Sequence, residues 1–434
     1  MRKTEKRCEG IYIGFVCSML LAWAVCAKAA SGPDEAMKYD VCNYIAVNGH
    51  LPHGGDSAIR NNIWGTSYGF TPMLSYIVSA LFLKIASLFT ESIQVLYVAV
   101  RFTSVLCIAG MTAMVIRIGH LLFEKRNGRW LFVILTTLLP QVLYLGSYLN
   151  NDAFALLTIS IIIYAWIRGI RDHWDMRSCI LLAVGIGLCA LSYYNAYGYI
   201  LCSMLLFFWS YQKERQDEKD MIRMWKMAVV ITGIAFFIAG WWFIRNAVIY
   251  QGDFLGLHTS DLYAEKYAQA DFKPSRRPNP NHLGWSFYEM LIENAWIKIS
   301  MISFVGLLGT EMMPFLKSIY KIIWGVIMLG YIGNGVRMLK RKTEKNSKCL
   351  LVILGISIFI PIALSFYHSY WIDFQPQGRY WMPMLIPFMY FSAVGLEYIF
   401  EKCSKKMGRM CYAIIELGMV IFAFVCFVEV QTII

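Results

Sequence analysis

Long apolar segments recur from one end of this chain to the other. A helix that crosses a bilayer needs about 20 predominantly apolar residues. Of the 434 residues, 58% are hydrophobic and only 16% are charged, which excludes an ordinary soluble domain. The sequence therefore predicts an all-α polytopic membrane protein that forms a single integral domain over residues 1–434. About eleven transmembrane helices are expected, at 11–29, 95–118, 130–147, 152–168, 178–194, 197–211, 226–245, 316–337, 349–367, 381–400 and 410–430.

The basic residues give a net charge of +12, yet their distribution indicates membrane topology and not nucleic-acid binding. Cytoplasmic loops carry an excess of lysine and arginine. If segment 71–89 lies on or re-enters the outer leaflet, all the basic clusters fall on one side. The alternative is that segment 71–89 crosses the membrane. The first arrangement predicts a multi-pass protein of a bacterial plasma membrane with a cytoplasmic N-terminus. The clusters are 2–7, 125–129, 168–177, 213–226, 337–348 and 402–409.

This topology leaves two long segments on the extracytoplasmic side. Residues 30–94 form a first outer loop that contains the interfacial helix and is the candidate catalytic loop. Residues 246–314 form a second long loop, with another interfacial helix near 296–308. The first apolar segment is interpreted as a retained anchor, although Ala27-Lys28-Ala29 resembles a signal-peptidase site.

Two adjacent carboxylates, Asp34 and Glu35, follow the first apolar segment directly. Successive helical residues diverge by about 100°, so the two side chains are not expected to face one small group. One carboxylate is predicted to act as a general base toward an acceptor hydroxyl or amine, and the other to support it. The alternative is structural: Asp34 caps a helix and pairs with Lys38 four residues later.

Two arginines, Arg245 and Arg379, are predicted at outer-leaflet depth, against the positive-inside trend. A guanidinium group binds phosphate oxygens in a fork and is costly to leave unpaired near lipid. Both arginines are therefore candidates for binding a lipid phosphate or diphosphate. Contact with ordinary lipid headgroups is the alternative.

Other polar residues at the predicted outer turns are candidates for the wall of a substrate cavity. For the turn at 147–152, helix capping is the favoured alternative. For the turn at 193–198, it is a place in the interfacial aromatic belt. The cavity candidates are Asn150, Asn151, Asp152, Tyr194, Asn195, Gln377 and Tyr380. A divalent metal ion is a further option, with His50 and His53 as candidate ligands, although a proline interrupts their spacing.

Several short motifs, taken in order, resemble those of GT-C superfamily membrane glycosyltransferases. Closest are the bacterial DUF2142-type proteins; protein O-mannosyltransferases and aminoarabinose transferases of lipid A are more distant. The resemblance covers nearly the whole chain, with Thr71-Pro72 where many relatives have two prolines. The motifs are P-D-E, V-N-G-H-L-P, T-P-M-L-S-Y, V-R-F-T-S, L-N-N-D, W-W-F-I-R-N and Q-G-R-Y-W-M-P.

The resemblance implies a GT-C-like helical bundle and an inverting transfer from a polyprenyl-phosphate-linked sugar. The acceptor would be a glycan, lipid or protein outside the cytoplasm. Carried onto this chain, the base is Asp34 with Glu35 in support, and the donor phosphate is bound by Arg379, with Arg245 as a second candidate. The alternatives are a transporter or flippase of lipid-linked saccharides and a non-catalytic membrane assembly partner. The former usually shows internal repeats.

Overall fold

The computed structural model describes residues 3–214, 218–306, 314–340 and 345–433, and these residues are predominantly helical with no strand among them. The predicted all-α class is therefore confirmed. The helices are α1 Lys3–Cys26, α2 Glu35–Asn48, α3 Leu74–Ser87, α4 Ile93–Leu122, α5 Arg126–Thr137, α6 Pro140–Leu145, α7 Asp152–Arg171, α8 Met176–Ala190, α9 Gly198–Glu214, α10 Glu218–Ile249, α11 Leu257–Tyr267, α12 Trp296–Val305, α13 Pro314–Lys340, α14 Lys345–Trp371, α15 Leu385–Lys402 and α16 Lys405–Ile433. Short 3₁₀ segments cover Tyr68–Phe70, Tyr194–Ala196, Ala270–Phe272 and Gly378–Met384, and a π-helical turn covers Glu289–Glu293.

Within the described ranges, eight helices are long and apolar enough to cross a membrane, as judged by length and composition. They are α1, α4, α7, α10, α13, α14, α15 with its preceding 3₁₀ segment, and α16. The other three predicted spans are helical but shorter or broken. Helices α8 and α9 have 15 and 17 residues, which corresponds to about 22 and 26 Å.

The predicted span 130–147 is interrupted because a proline follows Leu139. Pro140 lacks an amide hydrogen and disfavours a helical conformation of the residue before it. Leu139 is accordingly extended, with φ −62° and ψ 125°, and the segment divides into α5 and α6.

Hydrogen bonds at the two ends of α1 and α4 show that these helices run antiparallel. Gln94, at the start of α4, donates to the carbonyl of Ala27, just after α1, at 2.8 Å. His120, near the end of α4, lies 2.5 Å from Glu9. Asp34 therefore lies at the end of the bundle opposite Glu9.

Three of the six predicted basic clusters meet at the Glu9 end of the bundle. Arg129 forms an ion pair with Glu5. Lys125 forms another with Glu401 at 2.6 Å, next to the α15–α16 turn. The segments around 2–7, 125–129 and 402–409 thus come together, as a shared membrane face requires.

The two predicted outer loops pack against each other. The hydroxyls of Thr66 and Ser260 are 2.8 Å apart, and the amide of Gln269 donates to the carbonyl of Ile63 at 3.0 Å. Helix α3, within predicted segment 71–89, has 14 residues. At about 21 Å it is too short to cross a hydrocarbon core of about 30 Å.

Candidate functional site

Asp34 has an unusual conformation at the start of α2. Its backbone is left-handed, with φ 54° and ψ 19°, and its side chain makes no capping hydrogen bond. Instead, the Tyr68 hydroxyl donates to Asp34 Oδ2 at 2.9 Å. A non-glycine residue in this region carries strain of about 1–3 kcal/mol, and such strain is concentrated at functional sites.

Lys38 does not form the predicted pair with Asp34. Its amine donates to the carbonyl of Pro33 at 2.7 Å, and no carboxylate lies within ion-pair distance in the described part of the chain. Both structural roles considered for Asp34, the cap and the ion pair, are therefore unfilled. Asp34 is partly exposed, and Oδ1 is the carboxylate oxygen that Tyr68 does not occupy.

Glu35 is held by Arg101 of α4 in a bidentate ion pair. Arg101 Nε and Nη2 donate to the two Glu35 oxygens at 2.8 Å each, and neither side chain is exposed. The amides of Gly32 and Leu149 also donate to Glu35, at 3.2 and 3.0 Å. Since both oxygens are occupied, Glu35 supports the site by position and is poorly placed to exchange protons.

Arg101 also binds the backbone around the end of α1. Its guanidinium donates to the carbonyls of Ala24, Ala27 and Lys28 at 2.8, 2.7 and 2.6 Å. These bonds join α1, α4 and the start of α2. They fix the backbone immediately before Asp34.

Lys38 is buried, with 4% exposure, and its ammonium lies over two phenol rings. Its Nζ is 5.0 Å from the centroid of Tyr68 and 5.5 Å from that of Tyr148. Burial lowers the pKa of Lys38 to about 8, and the positive charge of Arg379 acts in the same direction. The negative charges of Asp34 and Asp152 oppose this shift.

Arg379 stands in the 3₁₀ segment before α15, where its guanidinium is only partly satisfied. Nη2 donates to the Tyr380 hydroxyl at 3.1 Å, and that hydroxyl in turn donates to Gln375. Nε is buried and finds no hydrogen-bond partner among the residues that the structure describes. An arginine held in this way has a donor available for an anion.

Two tyrosines link these charged groups, because Tyr68 donates to Asp34 and Lys38 lies over the rings of both Tyr68 and Tyr148. Burial raises the pKa of Tyr68 well above 10, Asp34 adds to the rise and Arg379 opposes it. Burial also raises the pKa of Tyr148, where Arg379 again opposes and Asp152 adds. We call the set that meets here the central cluster: Asp34, Lys38, Tyr68, Tyr148, Asp152 and Arg379.

The comparisons with known proteins agree with the sequence motifs. The family described as "Predicted membrane protein (DUF2142)" matches residues 46–252. The predicted DUF2142-type resemblance is confirmed. No curated protein matches the sequence. The DUF2142 match begins after Asp34 and ends before Arg379, so the central cluster extends beyond it on both sides.

Among solved structures, the chain resembles the oligosaccharyltransferase AglB of the archaeon Archaeoglobus fulgidus. The comparison with the structure of AglB in complex with an inhibitory peptide and a dolichol-phosphate gives a TM-score of 0.60 at 15% identity, and it covers 99% of this chain and 56% of AglB. The comparison with the Archaeoglobus fulgidus oligosaccharyltransferase that carries a tethered acceptor peptide gives a TM-score of 0.58 at 14% identity, and it covers 98% of this chain and 55% of that chain. The likeness confirms the predicted GT-C-like fold. This chain spans a little over half the length of AglB.

Several predicted cavity residues have structural partners. Asn150 Oδ1 accepts from the amide of Ala153 at 2.8 Å and so caps α7, as the alternative reading predicted. Asn151 accepts a hydrogen bond from Ser75 of α3. Asp152 is the one residue of this turn that joins the central cluster.

The second predicted turn supports the segment that carries Arg379. Asn195 Nδ2 donates to the carbonyl of Tyr380 at 2.7 Å. Tyr194 donates to the carbonyl of Leu255 at 2.6 Å, in the second long loop. Gln377 precedes the 3₁₀ segment, and its carbonyl accepts from the amide of Tyr380 at 3.2 Å.

Arg245, at the end of α10, has contacts of its own with the first loop and with α10. Its Nη2 donates to the carbonyl of Pro52 at 2.6 Å, and its guanidinium lies 5.3 Å from the Trp242 ring. These contacts tie α10 to the first loop. They leave Arg379 as the better placed of the two arginines for a phosphate in the central cluster.

The candidate metal ligands are also separated by their contacts. His53 Nδ1 accepts from the amide of Gly55 at 3.0 Å, and its ring packs 5.0 Å from Tyr250. His50 is exposed, with Nδ1 3.3 Å from the carbonyl of Leu51. Within the described residues, the one three-ligand group compatible with a metal is Glu5, Glu9 and His120, at the other end of the bundle.

The position of Arg379 depends on Gly378. The Gly378 amide donates to the Ser303 hydroxyl of α12 at 2.6 Å. A Cβ added at Gly378 would overlap the backbone of Ser300 and Phe304. Backbone atoms cannot move aside as a flexible side chain does. Glycine is therefore required where α12 meets the 3₁₀ segment.

Gly378→Ala is expected to lower the midpoint of thermal unfolding in detergent by several degrees, because overpacking costs about 1–3 kcal/mol. The matched control is Gly355→Ala in α14, where nothing lies within 4 Å of the added methyl group. That control should be neutral or slightly stabilising. Equal midpoints for both variants would contradict the proposed close contact.

Proposed function

We propose that this protein transfers a sugar from a polyprenyl-phosphate-linked donor to an extracytoplasmic acceptor, with inversion at the anomeric carbon. The observation that carries the proposal is the central cluster, where the carboxylate of Asp34, whose backbone is left-handed, shares a site with the cations Lys38 and Arg379. A displacement at a glycosyl phosphate needs a base and a positively charged place for the leaving phosphate. The AglB-like fold supports this class of reaction.

In the proposed reaction, an oxygen or nitrogen of the acceptor attacks the anomeric carbon, and the bond from that carbon to the phosphate oxygen breaks. Asp34 takes the proton of the acceptor, and its Oδ1 is the oxygen that Tyr68 does not occupy. The electron pair of the broken bond remains on the lipid phosphate, whose charge Arg379 stabilises. Attack opposite the leaving phosphate inverts the anomeric carbon. The acceptor belongs to the class of cell-surface glycans, glycolipids or proteins.

The lipid part of the donor is proposed to lie in an apolar groove between α8, α9 and α10. The groove has a volume of about 850 Å³ and is lined by side chains such as Leu182, Phe207 and Phe236. It also includes Tyr197, next to the turn whose Asn195 binds the Tyr380 carbonyl. An isoprenoid tail gains free energy wherever it removes apolar surface from water.

The sidedness of the site is proposed from charge. Asp34 lies at the end of the bundle opposite the ion pairs Arg129–Glu5 and Lys125–Glu401. Because lysine and arginine favour the cytoplasmic face, the central cluster is assigned to the extracytoplasmic side of a plasma membrane.

Arg379→Gln is expected to weaken binding of a polyprenyl-phosphate sugar by about 10-fold or more, since hydrogen bonds to charged groups contribute about 1.5–3 kcal/mol. Native mass spectrometry of the detergent-purified protein with a panel of such donors measures this. The matched control is Arg60→Gln. Arg60 stacks 3.7 Å over Tyr267, where the two predicted outer loops meet, and it is not a member of the central cluster. A donor that bound equally to wild type and Arg379→Gln would remove Arg379 from the phosphate site.

A transfer assay then separates an enzyme from a flippase. Incubation of the selected donor with a mixture of candidate acceptors should yield a glycosylated product and free lipid phosphate in equal amounts. Binding and transbilayer movement of the donor, without any such product from any acceptor, would favour the flippase alternative.

A further inference from the structure

Lys38 is a buried cation, and none of the described residues forms an ion pair with it. Its Nζ donates to one backbone carbonyl, that of Pro33, and otherwise faces the rings of Tyr68 and Tyr148. An ammonium has three donors. Burying it without a hydrogen-bonded counter-ion is costly, and buried charges in proteins are usually paired. A ligand anion would remove this cost.

Arg379, from another part of the chain, is a second cation whose hydrogen-bond donors are only partly used. Its Nε is buried without a partner in the portion of the chain that the structure describes, and its Nη2 reaches a neutral hydroxyl, that of Tyr380. Lys38 lies 5.5 Å over the Tyr148 ring, and Arg379 acts on that same tyrosine, so both cations lie near Tyr148. The positive charge of Arg379 accordingly disfavours the charged form of Lys38. Asp34, Asp152 and Glu35 act in the opposite direction, yet burial and Arg379 together outweigh them.

We infer that Lys38 and Arg379 together bind the phosphate of the lipid-linked donor, with Lys38 in α2 and Arg379 in the 3₁₀ segment before α15. This inference rests on the proposed function and adds a residue to its site. The two cations suit different parts of one phosphate, since an ammonium is a compact point charge and a guanidinium is a planar fork. Both keep donors available.

The chemistry gives Lys38 a larger role after bond cleavage than before it. The donor phosphate is a diester with one negative charge. When the anomeric C–O bond breaks, the lipid phosphate becomes a monoester with a charge of about −1.5 to −2 at pH 7. A second cation therefore interacts more strongly with the leaving phosphate than with the intact donor, which favours the transition state.

The test compares binding of polyprenyl phosphate, the product lipid, with binding of uncharged polyprenol to the full-length protein. Lys38→Gln is expected to weaken polyprenyl phosphate binding by about 10- to 100-fold, because a hydrogen bond between charged groups is lost. Binding of polyprenol should be unchanged. Lys266→Gln is the matched control, since Lys266 is exposed and lies 4.9 Å over the Tyr267 ring; it should change neither affinity.

The pH dependence provides a readout that a purely structural role of Lys38 would not produce. Burial lowers the pKa of Lys38 to about 8 in the free protein. Its ammonium is therefore charged below pH 8 and progressively lost above it, whereas the phosphate is already fully ionised there. Wild-type affinity should fall between pH 7.5 and pH 9.5 in this assay, and Lys38→Arg should retain affinity across that range.

The outcomes separate this inference from the proposed function. Polyprenyl phosphate that bound Lys38→Gln as tightly as wild type, with the variant folded by its thermal midpoint, would overturn the role of Lys38. If Lys38→Gln failed to fold, a flat pH profile of wild-type affinity would overturn it equally. Lys38-dependent binding without sugar transfer to any acceptor would instead reject the proposed reaction and leave the anion site standing.

Discussion

Asp34→Asn is expected to reduce sugar transfer by about 10²- to 10⁴-fold, the usual contribution of a general base. Asparagine has nearly the same shape and still accepts the hydrogen bond from Tyr68, which the native carboxylate receives at 2.9 Å. It cannot take a proton from the acceptor. Donor binding should therefore persist, because the phosphate is bound by other residues.

Two measurements on the same preparation test this result: initial rates of product formation at saturating donor, and donor affinity by native mass spectrometry. The matched control is Asp40→Asn, an exposed carboxylate on the same helix. It should transfer sugar at the wild-type rate. Transfer by Asp34→Asn within a factor of about three of wild type, far below the contribution of a general base, would exclude Asp34 as the base.

Arg101→Met is expected to lower the free energy of unfolding by about 3–5 kcal/mol, since it leaves a buried carboxylate without its partner. Both side chains of the Glu35–Arg101 pair are fully buried. Three backbone carbonyls, of Ala24, Ala27 and Lys28, also lose their donor. For that second reason, Arg101→Met should be more destabilising than Glu35→Gln, which keeps the carbonyl contacts.

Chemical or thermal unfolding in detergent, followed by intrinsic tryptophan fluorescence, measures the two losses. Arg168→Met is the control, because Arg168 pairs with Asp172 on the surface of α7, with the side chains 35% and 29% exposed. An exposed pair of this spacing contributes at most about 0.5 kcal/mol. Equal stability of Arg101→Met and Arg168→Met would refute this stabilising role of Arg101.

The candidate site illustrates why the sequence indicates Asp34 and Arg379 but not Lys38. An acidic residue just beyond an apolar segment is conspicuous, and so is an arginine at the start of another. Lys38 is not, because a lysine four residues after an aspartate predicts an ordinary helical ion pair. Only the left-handed backbone at Asp34 and the Tyr68 hydroxyl show that this pair does not form.

Arg101 was likewise hidden by its surroundings in the sequence. It lies within an apolar segment as part of the motif V-R-F-T-S, and the sequence around it does not indicate its partner. The buried pair with Glu35 joins residues that are 66 positions apart. A buried arginine requires a partner, but the identity of that partner depends on how α1, α2 and α4 pack.

The sequence by itself determined the helical membrane class and the position of most helices, and it made Asp34 and Arg379 candidates for the site. These properties depend on local composition and on charge near apolar segments, which a linear chain displays directly. Only the tertiary structure brings Lys38, Tyr68 and Tyr148 together with Asp34, Arg379 and the predicted cavity residue Asp152. It also pairs Glu35 with Arg101 and Arg245 with the first loop. Contacts between distant segments depend on helix packing, which no local pattern encodes.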